Sequence, residues 1–375
     1  MNPAPTCHVP HSLLFSWPMD VSLFDYHLPA ERIAQTPISR RDQAKLLVVD
    51  RATETWCDEY IFRLPELLTP GDLLIFNDSK VFKARLHVKD AAGRVFELFL
   101  LRPNGEHWEA LLHQAKKIHE GEALTLPDGT AVHLIEKQTD GTVLVKFSCS
   151  TDEVFSLCDK FGEVPTPPYV KQTLQDSDRY QTIYAKEIGS VAAPTAGLHF
   201  TPDLFEKLEK RGVKKAFVTL HVGLGTFRPI KTETLEEHEM HSEWANVPQE
   251  TIDLIQETKK NGHRVIAVGT TATRALESMA QGTDMSEGTG GHSEGTGGHV
   301  GPPLRPFSGF TNIFITPGYQ FRVIDGLLTN FHLPKSTLLV LISAFAGREF
   351  MLRAYEHAIE EKYRFYSFGD AMLIV

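Results

Sequence analysis

The sequence predicts an α/β fold, a discontinuous α/β layered domain with an inserted antiparallel β-barrel domain. Two textures carry that expectation: evenly spaced short strands between about 70 and 148, and alternating strands and helices elsewhere. A third observation is that Phe24–Asp50 has no full core of its own, so it must join the later α/β layer. The expected division is 19–66 with 149–375 for the α/β domain and 67–148 for the barrel.

In the barrel block the turn signals are Ala-Ala-Gly 91–93, Pro-Asn-Gly 103–105, His-Glu-Gly 119–121, Pro-Asp-Gly 127–129 and Thr-Asp-Gly 139–141. Asn-Gly and Asp-Gly supply the positive φ that tight hairpins need. Between them, Arg94–Leu101, Trp108–His113, Ala131–Ile135 and Thr142–Phe147 are strand-rich, and no helix is strongly signalled. Beyond the block, Thr201 caps a helix with Pro202 at its first position, and Gly212 closes it. Lys215–His221 follows as a strand, then helix Pro248–Asn261, strand Arg264–Val268 and helix Ala272–Ala280. Ser336–Ala346 and Arg348–Lys362 read as helices and Ala371–Val375 as a terminal strand, which together indicate a mostly parallel sheet. An inserted barrel leaves a cleft at the junction, where small ligands usually bind.

Composition sets the outer limits. A chain of 375 residues accommodates about two domains. With 42% hydrophobic and 23% charged residues it can bury a core. The longest apolar run, Leu338–Ala346, falls far short of the ~18 residues of a membrane span and fits a buried helix. A formal charge of −10 excludes a generally cationic nucleic-acid coat but leaves room for a local basic strip. Cys7, Cys57, Cys149 and Cys158 show no C-x-x-C pair and no metal-ligand spacing, which suits a reducing cytoplasm and no bound metal.

Two segments stand apart. Residues 1–18 hold Pro3, Pro5, Pro10 and Pro18, no basic residue and a short apolar run, so a disordered leader is expected, with Met19 a possible true start. Ser-Glu-Gly-Thr-Gly-Gly-His occurs at 286–292 and again at 293–299, which makes 282–308 an expected flexible Gly-rich surface insertion.

Four constellations have chemical potential. In His221-Val222-Gly223-Leu224-Gly225-Thr226-Phe227, directly after a strand, two glycines let backbone N–H groups approach a ligand; a bulge or turn explains it equally well. Gly269-Thr270-Thr271-Ala272-Thr273-Arg274 is a strand-to-helix turn suited to a carboxylate or phosphate, or simply a cap. Ala192–Phe200, containing Thr195, Gly197 and His199, places a neutral-range titrating group at a helix entry. Phe76-Asn77-Asp78-Ser79-Lys80, with Lys83 and Arg85 nearby, mixes an amide, a carboxylate and cations. A Ser-His-Asp signature, a Walker sequence, H-E-x-x-H and kinase motifs are all missing, so an enzyme of this sequence relies on reactivity its substrate brings.

Longer motifs add a resemblance. Phe24–Pro29, Arg41-Asp42, Leu46–Val48, Phe76–Ser79, Ala84–Leu86, Pro167–Lys171, Asp178–Tyr184, Gly189–Thr201, His221–Phe227, Gly269–Leu276, Phe314–Tyr319 and Asp325–Ser336 occur in one order. By them the sequence resembles the S-adenosylmethionine:tRNA ribosyltransferase-isomerases of queuosine biosynthesis, over 19–375 outside 282–308. The resemblance implies the same two-domain fold. It also implies transfer and isomerisation of the ribosyl moiety of S-adenosylmethionine onto a 7-aminomethyl-7-deazaguanine at the tRNA wobble position. Epoxyqueuosine-tRNA forms, adenine and methionine leave, and S-adenosylmethionine is a consumed substrate with no further cofactor.

That chemistry asks little of the protein. A sulfonium acidifies the neighbouring carbon, adenine leaves more readily when protonated, and the amine nucleophile belongs to the RNA. His199 and His221 are the expected proton-transfer groups, with Asp78 next. Tyr169 or Phe227 is expected to face the sulfonium. Thr195, Gly197, Gly223, Gly225, Thr226, Thr270, Thr271 and Arg274 are expected to bind the substrate. Lys80, Lys83, Arg85, Lys116 and Lys117 are the expected phosphate contacts for the anticodon loop. A cytoplasmic monomer without a membrane partner is expected. The competing readings are a non-catalytic tRNA-binding module of the same fold and another nucleotide-dependent transferase.

Overall fold

In the computed structural model the described residues are 18–165, 169–170, 176–223, 229–285 and 304–375, with the side chains of 177 and 283–285 left aside. The expected leader and most of the Gly-rich insertion, as well as Gly225, Thr226 and Phe227, therefore lie outside the described residues.

A nine-stranded sheet organises the α/β lobe, in the spatial order 307–311, 243–247, 214–220, 73–77, 265–268, 326–330, 371–374, 45–50, 55–60. Its central strands are apolar without alternation because both faces are covered. Leu73, Ile75, Val265 and Ala267 face one core, and Leu74, Phe76, Ile266 and Val268 face the other. Lys214–Leu220, Leu73–Asn77, Val265–Val268 and Gly326–Asn330 run parallel in succession. The 326–330/371–374 pair and the outer pairs at both ends are antiparallel. The sheet is thus mixed rather than mostly parallel, since hairpin-like additions close both sides of the parallel centre.

Helix boundaries follow their caps. Thr201 Oγ1 accepts the Leu204 N–H at 3.2 Å at the start of Pro202–Lys210, and Ser336 caps Thr337–Ala346 in the same way. The helix expected at Ala272–Ala280 runs longer, Thr270–Met285. Lys45–Asp50 joins the large sheet beside Ala371–Ile374, as its lack of a separate core requires.

The second lobe is a closed six-stranded barrel of 85–89, 95–104, 107–112, 123–125, 131–137 and 143–147. Alternation points Leu86, Val88, Leu98, Leu100, Trp108, Val132 and Val145 inward. The hairpin glycines adopt the expected backbone, with Gly105 at φ 60° and Gly141 at φ 88°. The barrel strands run from 85 to 147, inside the expected 67–148, but that range also takes in a strand of the other lobe, and a helix beyond it packs on the barrel. Leu73–Asn77 is the middle of the large sheet, because its uninterrupted apolar run has to be buried on both faces. Thr151–Phe161 is a helix, capped by a Ser150/Glu153 box, and its Val154 and Cys158 complete the barrel core. A short parallel ribbon, Ser79–Val81 with Glu187–Ser190, stitches the two lobes together.

Candidate active site

Where the barrel faces the sheet there is a cleft of about 520 Å³, within the range of small-ligand sites. The barrel contributes Arg102, Glu109 and Asp140, among others, and the sheet side contributes Gly189, His221, Gly223, Glu243, Trp244 and Phe310.

His221 reaches this cleft because it is the first residue beyond the 214–220 strand. Its imidazole is fixed from three sides. Nδ1 lies 3.0 Å from Ser79 Oγ, and the ring stacks on Trp244 at 5.2 Å and 22°. On the third side is Gly189, where a Cβ would fall 2.6 Å from His221 Nε2; its φ of +154° also disfavours any side chain. Ser79 is placed by Asn77, whose Oδ1 accepts the Ser79 and Leu220 N–H groups while Nδ2 donates to the Leu220 carbonyl. The Asn77-Asp78-Ser79 motif is therefore a bracket for the next strand's histidine. Burial pushes His221 down to about 4, opposed by nearby Glu187, so the ring is neutral near pH 7 and able to accept a proton.

Asp78 faces elsewhere. Its Oδ1 accepts the Thr219 hydroxyl at 2.7 Å, and its carbonyl accepts Lys186 and Glu187 N–H groups. Burial raises its pKa, and it does not line the cleft. His199 is also buried, in a crevice of about 20 Å³ with Arg41 and Arg179. Asn330 Nδ2 donates to the Tyr366 and Ser367 carbonyls, so Asn330 Oδ1 must accept from His199 Nε2 at 3.0 Å. Burial holds His199 at about 4. The structure thus brings one of the two expected histidines to the cleft and gives the other an inner support position.

A smaller pocket, about 50 Å³, adjoins the cleft and shares Val222 with it. Thr195, Thr270, Thr271, Thr329, Asn330 and Ser367 line it. It sits beyond the carboxyl ends of strands 265–268 and 326–330, the usual ligand position in α/β sheets, at the start of the Thr270–Met285 helix. Thr271 Oγ1 is buried with no hydrogen-bond partner. Helix N-termini attract anions, and the neighbouring His332, driven to about 3 by burial, stays neutral.

Arg274 is spent differently from the expectation that it meets substrate. It is 4% exposed, ion-paired to Glu243, and its Nε donates to the Ile313 carbonyl at 3.3 Å. Glu243 Oε1 in turn accepts the Gly223 N–H at 2.8 Å, which anchors the end of the glycine loop. Gly197 is a packing glycine, since a Cβ there would meet the Tyr184 hydroxyl at 1.9 Å. Tyr169 is held away from the cleft, with its hydroxyl bonded to Ser367 and its ring edge-on to Tyr366.

Of the basic candidates, Lys80 is exposed and its register partner Ile188 lines the cleft. Lys116 and Lys117 are exposed on a single turn of the barrel. Lys83 is drawn to the Asp159 carbonyl, and Arg85 lies 3.5 Å from Glu97. Trp244, Glu243 and Gly189 were not legible as site residues, because strand pairing over long sequence separations brings them in. Among the described residues no cluster of three or more His, Cys, Asp or Glu is arranged for a metal, and no helix is long and apolar enough to cross a membrane.

An α/β lobe with an inserted barrel, and between them a cleft lined by a neutral imidazole, is the architecture of a two-lobed enzyme with a small-ligand site. Residues 21–374 match the model of the family described as queuosine biosynthesis protein, and the chain belongs to that family. It is also similar to a crystal structure of S-adenosylmethionine tRNA ribosyltransferase from Thermotoga maritima. The match has 35% identity and a TM-score of 0.52, and covers 94% of this chain and 100% of the other.

Proposed function

We propose that this chain is an S-adenosylmethionine-dependent tRNA ribosyltransferase-isomerase. It moves the ribosyl group of S-adenosylmethionine onto the aminomethyl group of a 7-deazaguanine at the wobble position of the anticodon loop. Epoxyqueuosine-tRNA forms, and adenine and methionine depart. No further cofactor takes part; the enzyme works as a cytoplasmic monomer.

The observation that carries this reading is a neutral, three-sided-fixed His221 in a cleft of small-ligand size, beside a small pocket rimmed by Thr195, Thr270 and Thr271. The sulfonium acidifies its neighbouring carbon, and the neutral imidazole of His221 is the cleft group placed to take that proton. Of the three carboxylates lining the cleft, Glu109 is ion-paired to Arg102 and Glu243 to Arg274, so Asp140 is the one that favours a cationic substrate such as a sulfonium or an amine. The methionyl carboxylate belongs in the pocket at Thr270 and Thr271, where an unpartnered hydroxyl and a helix N-terminus supply hydrogen-bond donors. Arg274 contributes through Glu243, as a positioning residue for Gly223. His199 positions Asn330 at the wall of that pocket. Lys80, Lys116 and Lys117 are the phosphate contacts that the surface favours most.

The test is adenine release on incubation with S-adenosylmethionine and precursor tRNA. Release that requires the tRNA is expected; binding of both substrates without release would leave a binding module, and release without tRNA would point to another transferase.

A further inference from the structure

The mouth of the cleft carries a residue that the proton chemistry does not use. Phe310 is 58% exposed, an unusual state for a phenylalanine inside a concave site. It lies on the edge strand Phe307–Thr311, directly opposite Trp244. Antiparallel partners share a face, so both rings turn to the same side, and both line the cleft.

Across the mouth, the barrel places the Arg102 guanidinium 5.2 Å from the Phe310 ring centroid. Arg102 is held there by Glu109 at 2.7 Å and by a longer bond to the Ser242 carbonyl. A cation from one lobe and an aromatic from the other thus meet over the entrance, while most of the ring stays in water. Around them, Asp140, Thr142, His241 and Ser242 offer hydrogen-bonding groups at the same rim. A flat π-face with polar edges matches that lining, whereas an aliphatic partner would desolvate the rim groups without return.

We propose that Phe310 is the stacking platform for an unpaired nucleobase of the RNA loop, the neighbour of the base that reacts, with Arg102 fixing the ring. The assignment rests on the tRNA reading given above. Trp244 and His221 occupy the inner wall, so the reacting base takes the deeper position and its neighbour meets Phe310 at the rim. Base–aromatic stacking tolerates any base, so this contact supplies affinity for a splayed loop rather than sequence choice.

The experiment is the Kd of an anticodon stem-loop RNA, read by fluorescence anisotropy without S-adenosylmethionine, for wild type, Phe310→Ala and Phe310→Trp. Alanine is expected to weaken binding roughly 5- to 100-fold and tryptophan to keep it within a few fold. An alanine variant within twofold of wild type overturns the proposal, as does a wild type that fails to bind the stem-loop. A lowered melting temperature at unchanged Kd would assign the ring to packing and overturn it equally. Adenine release by the wild type judges the enzymatic reading separately, so a turning-over enzyme with an indifferent Phe310 sinks only this inference.

Discussion

Gly189→Ala is the sharpest perturbation the site offers, because it acts on His221 without altering it. The new methyl would lie 2.6 Å from His221 Nε2, where ordinary contact begins at 3.4 Å, so the ring must retreat by at least 0.8 Å. Retreat is constrained on the other sides by Trp244 stacking and by the Ser79 hydroxyl. The backbone adds a cost of about 1–3 kcal/mol, since an alanine is held at φ +154°. A misplacement near 1 Å lowers turnover by ~10²-fold where geometry governs a proton transfer, and complete loss of the group costs about 10²–10⁴-fold. The assay is single-turnover adenine release with saturating substrates, alongside a melting curve. We expect Gly189→Ala to fall about 10²-fold and His221→Gln as far or further, with both variants folded. A folded Gly189→Ala enzyme with wild-type turnover would refute the role given to His221.

Three further outcomes follow from buried groups and surface charge. Arg274→Met leaves Glu243 buried without its counter-ion and should cost about 3–5 kcal/mol in denaturant unfolding; adding Glu243→Leu should recover most of it. His199 and His221, with folded values about 4, and His332, about 3, all lie below the usual 6.5. The unfolded chain therefore binds more protons, stability is full above pH 6.5, and it is lost as pH falls towards 4. The slope should approach roughly 4 kcal/mol per pH unit near pH 5, and a melting temperature flat from pH 7 to 5 would contradict it. Binding of tRNA should weaken with salt, and Lys80→Ala should reduce the log–log slope by about 1; an unchanged slope removes Lys80 from the phosphate path.

Much of the fold was legible because its signals are local. Thr201-Pro202, Ser336 and the hairpin glycines act through neighbours a few residues away, and the structure uses them as caps and turns. Leu73–Asn77 was misplaced because a both-faces-buried strand has no alternation to reveal its sheet, and its partners lie some 140 and 190 residues further along the chain. The site divides in the same way. Gly223, Thr270 and Thr271 sit at strand ends, where local sequence marks a turn, and they do border the two cavities. His199 and His221 look alike in sequence; only tertiary burial distinguishes a cleft imidazole from one bonded to Asn330. Arg274, in the Thr270–Met285 helix, looked available for substrate because Glu243, its partner, lies on a strand 31 residues earlier.

The most direct test is a crystal structure of the protein with S-adenosylmethionine bound. The account predicts the sulfonium between Trp244 and the barrel wall with an adjacent carbon within reach of His221, and the carboxylate at Thr270–Thr271. A ligand seated in the crevice beside His199, or anywhere that leaves His221 without contact to it, would contradict the account.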